Sequence, residues 1–536
     1  MTKLDKKKLA FYEKHSVEFT RRQFLYNAGL TSVASYLTLS NLPQLFASKA
    51  YAQATNGENL AFVSLECAGG INLGGNVIIG RDNSGTQDEW SSLDSYLLLG
   101  FPPELHPSRT GMVDSTFGLK FHATSGILKG MKQVLSGKTV MVNGSPVLVS
   151  DMVDGLFLAY RSTDDTSENP LNTSIAAVKA GAKGKLASLI GNIATANGGN
   201  SITDPFVYDP VLRPPVIRNS EDAKNLSSLG KFMDENAKDR PMYNNFMRKL
   251  SDFSRRRLET IQQSKLPDAA KANIGNAMTR SGPFFTTFTP EILTPMLTDP
   301  NDLNLVFPYV AAGDPQSGSY NVNLGLGNLQ SDRDTIGTAS YLLLENNLVG
   351  SASLVIGGGD YHDGSARTGV LKDQELGRYI GEIIYYAALK GKSVVIDLFT
   401  DGSAICDATG VVDESPLGQG RVVHYTDSPV QSGSIMLAYR HGKTRAQQPI
   451  VKSGSGLGPL RQLGSFLPVK GGGVDLTANS FANNISMVWK IKILNYIALM
   501  ENTDSVADVL AKFELIYGRG LLADDAKDLI RFNYIG

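Results

Sequence analysis

The stretch from Ser353 to Gly402 constrains the fold most. Ser353-Leu354-Val355-Ile356 is a short apolar run that opens into Gly357-Gly358-Gly359-Asp360-Tyr361-His362-Asp363. Leu376, Ile380, Ile383, Ile384 and Ala387 then recur at helical spacing up to Gly391, and the chain returns as Val394-Val395-Ile396-Asp397-Leu398-Phe399 before Thr400-Asp401-Gly402. A strand, a long amphipathic helix and a second buried strand form a βαβ unit with parallel strands and a right-handed crossover. The predicted class is α/β.

Other segments extend this pattern. Leu60 to Leu65 reads as a buried strand that stops in the glycine-rich loop Gly69-Gly70-Ile71-Asn72-Leu73-Gly74-Gly75. Ile127, Leu128, Met131 and Leu135 have helical spacing, and a strand from Thr139 to Val142 follows Gly137. Ile336, Ala339, Leu343 and Leu344 predict a helix that stops at Gly350, and Ile435 to Tyr439 predicts a strand running into Arg440-His441-Gly442. Two helices, from about 484 to 500 and from 504 to 513, close the domain. Residues 202–218 are proline-rich and lack periodicity. Sparse apolar positions from Glu221 to Lys265, then Pro267 to Met278, place a loop and helical insertion at about 200–285 of a single domain spanning 53–536. Arg255-Arg256-Arg257 reads as a solvated helix face.

Residues 1–52 read as an address. Lys6, Lys7, Lys8 and Lys14 precede Thr20-Arg21-Arg22-Gln23-Phe24-Leu25, a mildly apolar stretch runs from Ala28 to Phe46, and Ala50-Tyr51-Ala52 fits a small-x-small cleavage site. This resembles a twin-arginine signal, with Arg21 and Arg22 as its pair. Such a signal implies handling by the Tat translocase and a folded cargo delivered to the periplasm or beyond the cell. No stretch reaches roughly 18 consecutive apolar residues, so no transmembrane span is expected in the mature chain.

Composition narrows the chemistry. Charged residues are 19% of the chain, against roughly 25% in an average globular protein, and 51 basic residues face 52 acidic ones. With no long basic run beyond the N-terminus, nucleic-acid binding is not expected. Two cysteines are too few for a cysteine-rich zinc module or an iron–sulfur cluster, and six histidines leave a short roster for any imidazole site. The first glycine loop is not Gly-x-Gly-x-x-Gly and no Cys-x-x-Cys-His occurs, which argues against a redox enzyme.

Ligands of open parallel sheets bind beyond the carboxyl ends of the strands. Four predicted strands end in acids or imidazoles: Glu66, then Asp360 and His362, then Asp401, then His441. Gathered on one rim, Glu66, Asp360, His362 and Asp401 form a mixed oxygen and nitrogen set suited to a divalent metal such as zinc or manganese. Each has a plainer reading. Asp360 caps a helix, Asp401-Gly402 is a common turn dipeptide, and His362 and His441 serve equally as hydrogen-bonding histidines. His122 and His424 read as structural.

The order of twin-arginine signal, strand with glycine loop, strand-Gly-Gly-Asp-x-His, long helix and strand-Thr-Asp-Gly resembles a Tat-secreted family within the alkaline phosphatase/sulfatase superfamily. The resemblance is best from Gly337 to Gly402, with Asp360 and His362 on the family's Gly-Trp-Asp-x-His element. It implies a three-layer α/β/α sandwich, alkaline phosphatase-like, and metal-assisted hydrolysis of phosphate or sulfate esters by a Ser or Thr nucleophile. The chain departs from the family at three points. Ala68-Gly69-Gly70-Ile71-Asn72 lacks the acid of Ala-Asp-Gly-Leu-Asn, leaving Glu66 as its substitute. Arg161-Ser162-Thr163 stands where the family has Arg-Ser-His, so Ser162 and Thr163 are the nucleophile candidates without a histidine beside them. No Asp-His-Gly with a second histidine precedes Ile435. Two expectations follow: a metal-dependent hydrolase with a partly degenerate site, or a non-catalytic envelope protein that keeps the fold and binds a partner. Cys67 and Cys406 follow two strand ends, and an oxidising compartment predicts either a disulfide between them or two buried thiols.

Overall fold

The computed structural model describes residues 60–223 and 329–535 apart from 68, 81–92, 164, 185–186, 210–211, 220–221, 346, 358–360, 362–365, 407–410, 416–417, 454–459, 468–472 and 502–504. The export signal with Arg21 and Arg22, the residues Asp360 and His362, and nearly all of the expected helical insertion lie outside the described residues.

Seven strands form the central sheet: β1 (Ala61–Cys67), β2 (Val153–Tyr160), β3 (Ala187–Gly191), β4 (Val349–Ile356), β5 (Val394–Thr400), β6 (Ser432–Tyr439) and β7 (Gln462–Leu463). Their order is β7-β2-β6-β5-β1-β4-β3. β3, β4, β1 and β5 run parallel, β6 is antiparallel to both its neighbours, and β7 is parallel to β2. The sheet is therefore mostly parallel, and its central strands are buried along their whole length, as double-sided coverage requires.

Six helices matter here: α1 (Gly126–Leu135), α2 (Ser174–Ala180), α3 (Leu329–Leu344), α4 (Ala366–Leu389), α5 (Ile485–Met500) and α6 (Val506–Tyr517). Alternate residues of β1 divide the core. Ala61, Val63 and Leu65 join Ile127, Met131, Ile336, Ile380 and Ile384 on one face, the side of α1, α3 and α4. Phe62 joins Val395, Phe399, Trp489, Ile493 and Phe513 on the other, the side of α2, α5 and α6. Burying each such side chain contributes ~1.5–3 kcal/mol, so both helical layers are held mainly by apolar area.

The α1–α4 crossing brings backbones into contact. A Cβ on Gly130 would lie 2.0 Å from the Gln374 carbonyl oxygen, and one on Gly377 would lie 2.0 Å from that of Ile127. Gly350 has a similar role: rather than stopping a helix, it sits inside β4, where a Cβ would lie 2.3 Å from the Ala182 carbonyl oxygen.

Two expectations are corrected by the topology. Thr139–Val142 pairs antiparallel with Ser145–Leu148 in a small, largely exposed hairpin, and the sheet strand after α1 is β2. β6 runs against β5, with Tyr439 opposite Val394, so His441 emerges at the opposite end of the sheet from Asp401. There it meets the Tyr439 hydroxyl at 3.0 Å and receives no part in the rim. Cys67 and Cys406 are both buried free thiols, and the Cys406 thiol donates to the Val422 carbonyl at 3.4 Å. The second of the two expectations for the cysteines describes this structure. No described helix is long and apolar enough to cross a membrane.

Candidate functional site

The carboxyl ends of β1, β4 and β5 are level: Cys67 is opposite Ile356 on one side and Thr400 on the other. Asp401 is the next residue after β5, and in the sequence Asp360 and His362 come shortly after β4, which ends at Ile356. β2 runs in the same sense as β5, and its last residue, Tyr160, donates its hydroxyl to the Thr400 carbonyl at 3.1 Å. Thus the loop with Ser162 and Thr163 also leaves from this rim. Sequence position scatters these residues, and parallel topology collects Glu66, Asp401, Ser162 and Thr163.

Glu66 points to the α2 and α5 side, one residue before the end of β1, and is 1% exposed. Its Oε2 accepts the backbone N–H of Asn200 at 2.9 Å and its Oε1 accepts that of Ser201. Gly199 lies directly over it: a Cβ there would fall 2.5 Å from Oε2 and 2.5 Å from Asn172 Nδ2. Burial pushes the Glu66 carboxyl up to about 7; the hydrogen bonds from Ser201 and Asn200 oppose this, and the charge of Asp401 adds to it. The beginning of the expected insertion is therefore part of the rim. Ile217 also donates to the Gly191 carbonyl at 2.7 Å, which ties the proline-rich stretch to the end of β3.

Asp401 is buried, and its Oδ2 accepts the Thr166 hydroxyl. Its Oδ1 has no hydrogen-bond partner among the described residues. Asn169 joins two parts of the rim: its Nδ2 donates to the Asp401 carbonyl at 3.4 Å, and its Oδ1 accepts the Thr163 hydroxyl at 2.9 Å and the Thr163 N–H at 3.2 Å. Thr163 is an exposed residue, and its hydroxyl is held by an amide rather than by a base. Ser162 is buried, with its N–H on the Pro429 carbonyl at 2.9 Å.

Beneath Glu66, on the same face, lies a fully buried ion pair. Lys492 of α5 reaches Asp397 Oδ1 at 3.0 Å, and Thr173 donates to Asp397 Oδ2 at 2.8 Å. Burial pushes Asp397 up and Lys492 down, and their mutual attraction opposes both shifts. Neither residue was expected at the site, although an acid inside Val394–Thr400 and a lysine inside an apolar helix are visible signals.

On the other face, Asn76 and Tyr361 both donate to Asp373 Oδ2 of α4, the first at 2.6 Å. Burial pushes Asp373 up to about 6, against those hydrogen bonds and the charge of Arg421. His122 is structural, as expected: its ring meets the Leu105 carbonyl at 2.6 Å and Thr124 at 2.8 Å, and burial followed by Arg421 lowers it to about 3.

Among the described residues no group of three or more His, Cys, Asp or Glu side chains stands in a metal-binding arrangement. Glu66 and Asp401 form a pair of acids, with Asp360 and His362 outside the description. Comparison with family models, with curated proteins and with solved structures finds no match.

Proposed function

We propose that the chain is a Tat-exported protein of the periplasm or cell exterior, alkaline phosphatase-like in fold, that hydrolyses phosphate or sulfate esters with a divalent metal ion at the sheet rim. One observation carries this reading: the buried Asp401 Oδ1 is without a hydrogen-bond partner among the described residues, on the strand next to that of Glu66, at the carboxyl edge where parallel sheets bind ligands. An orphaned buried carboxylate oxygen fits a cation, and hard or borderline cations accept such oxygens. Asp401 and Glu66 would hold the ion together with Asp360 and His362. Bound there, zinc or manganese would polarise the ester and lower the pKa of a water.

The chain's own residues have separable tasks. Without the ion, Glu66, its proton affinity raised by burial, holds a proton at a carboxylate oriented by two backbone amides, and ion binding would release it. Asn169 orients the Thr163 hydroxyl while bonded to the Asp401 backbone. Thr166 fixes the Asp401 rotamer.

A second reading has its own support. Both Glu66 oxygens already accept backbone donors and Gly199 packs onto one of them, which suits an acid that anchors a loop. On that reading the protein is a non-catalytic envelope binder that retains the fold. A hydrolysis screen on aryl phosphates and aryl sulfates, with zinc or manganese supplied, separates the two. The hydrolase reading expects turnover that falls at least about 100-fold in Asp401→Asn, in line with loss of a metal ligand. Absence of turnover in the wild type leaves the binder.

A further inference from the structure

Lys372 takes no part in the hydrogen bonds of Glu66 and Asp401 at the rim. It lies in α4, is 1% exposed, and its ammonium nitrogen has no hydrogen-bond partner among the described residues. Buried ammonium groups persist where they are paired, because desolvating the charge is costly. The acids of this region each have a partner other than Lys372, although Asp373 Oδ1 and Asp401 Oδ1 have none among the described residues. Asp373 accepts from Asn76 and Tyr361, Glu375 pairs with Arg378 at 3.2 Å, Asp401 accepts from Thr166, and Glu66 accepts from Asn200 and Ser201.

The charge of Lys372 acts on the Cys67 thiol, and so do the charges of Asp373, Glu66 and Asp401. Lys372 lies in the second turn of α4, the helix that follows β4, and the next residue, Asp373, accepts from Asn76 just past the glycine loop, which puts Lys372 on the flank of the rim opposite the Glu66 side chain. Arg421 strengthens that flank. Its Nη2 donates to the Gly75 carbonyl and its Nε to Thr124 at 3.2 Å, while its buried Nη1 has no partner among the described residues. Arg421 also acts on Asp373, whose proton affinity its charge lowers.

We propose that Lys372 is a binding residue for a tetrahedral oxyanion, phosphate or sulfate, received at the rim beside the glycine loop 69–75. An ammonium offers three donors around a point charge, which suits oxygens of a tetrahedral anion approaching from one side. The assignment of that anion as the charged part of an ester substrate rests on the hydrolase reading above, whereas the binding itself does not.

Calorimetry of the mature chain with inorganic phosphate and with sulfate tests the proposal on wild type, Lys372→Met and Lys372→Arg. Affinity for the anion is expected to fall at least about tenfold in Lys372→Met and to stay within about threefold in Lys372→Arg. Without anion, Lys372→Met is expected to melt at or above the wild-type temperature, since it removes an uncompensated buried charge. Wild type that binds neither anion, or a methionine variant that binds as well as wild type, overturns the proposal. A methionine variant that melts well below wild type or does not fold also overturns it, by marking the lysine as a structural partner. If the anion is bound through Lys372 but no ester is turned over, the hydrolase reading fails and this one stands.

Discussion

Glu66 and Asp401 occupy the carboxyl ends of neighbouring parallel strands, and the charge of one raises the proton affinity of the other. Glu66 is clamped by two backbone amides from the loop after β3, while Asp401 keeps one buried oxygen without a partner among the described residues. The pair is asymmetric, one acid positioned and the other available, and this asymmetry suits a site that combines proton exchange with ion binding.

The raised affinity of Glu66 has a stability consequence. Between about pH 4.5 and about 7 the folded chain holds a proton at Glu66 that the unfolded chain has released. The native state then binds more protons, so stability falls as pH rises through that window, by ~3 kcal/mol at about 1.36 kcal/mol per pK unit. Glu66→Gln is expected to flatten this slope in urea titrations at pH 4.5, 6 and 7.5. An unchanged slope would place the proton elsewhere.

Gly199→Ala is expected to destabilise the protein by ~1–3 kcal/mol, because the new methyl group meets Glu66 Oε2 and Asn172 Nδ2 at 2.5 Å. Urea denaturation measures the loss. Stability equal to wild type would mean that the 197–201 loop is not seated on Glu66.

The Asp397–Lys492 pair is fully buried, so removing either partner strands a charge. Lys492→Met alone is expected to cost ~3–5 kcal/mol, and Lys492→Met combined with Asp397→Asn to recover most of it. Thermal melts of the two variants decide this. Equal losses in both would show that the pair's hydrogen bonds, rather than its charges, carry the effect.

Much of the fold was legible because parallel strands buried on both faces read as continuous apolar runs, and α4 carries a clean stripe from Leu376 to Ala387. β2 escaped because Asp154 and Gly155 interrupt its apolar run, yet Asp154 is paired with Arg461 at 2.7 Å and Gly155 packs under Leu437. The direction of β6 was not legible, since antiparallel and parallel strands buried on both faces look alike locally; hence the misplaced His441. The acids at the rim, Glu66 and Asp401, were readable as polar residues ending apolar strands. What holds Glu66 was not, because its donors are backbone amides up to 135 residues away and carry no side-chain signature. Lys372 was hidden by its setting among the polar residues of α4.

The central claim is that the sheet rim gathers these acids into a cation site. Calorimetric titration of the metal-free mature chain with zinc and with manganese tests it most directly, on wild type and Asp401→Ala. One ion bound per wild-type chain, with affinity lost in the variant, is the predicted result. Failure of the wild type to bind either ion, or equal binding by both proteins, would contradict it.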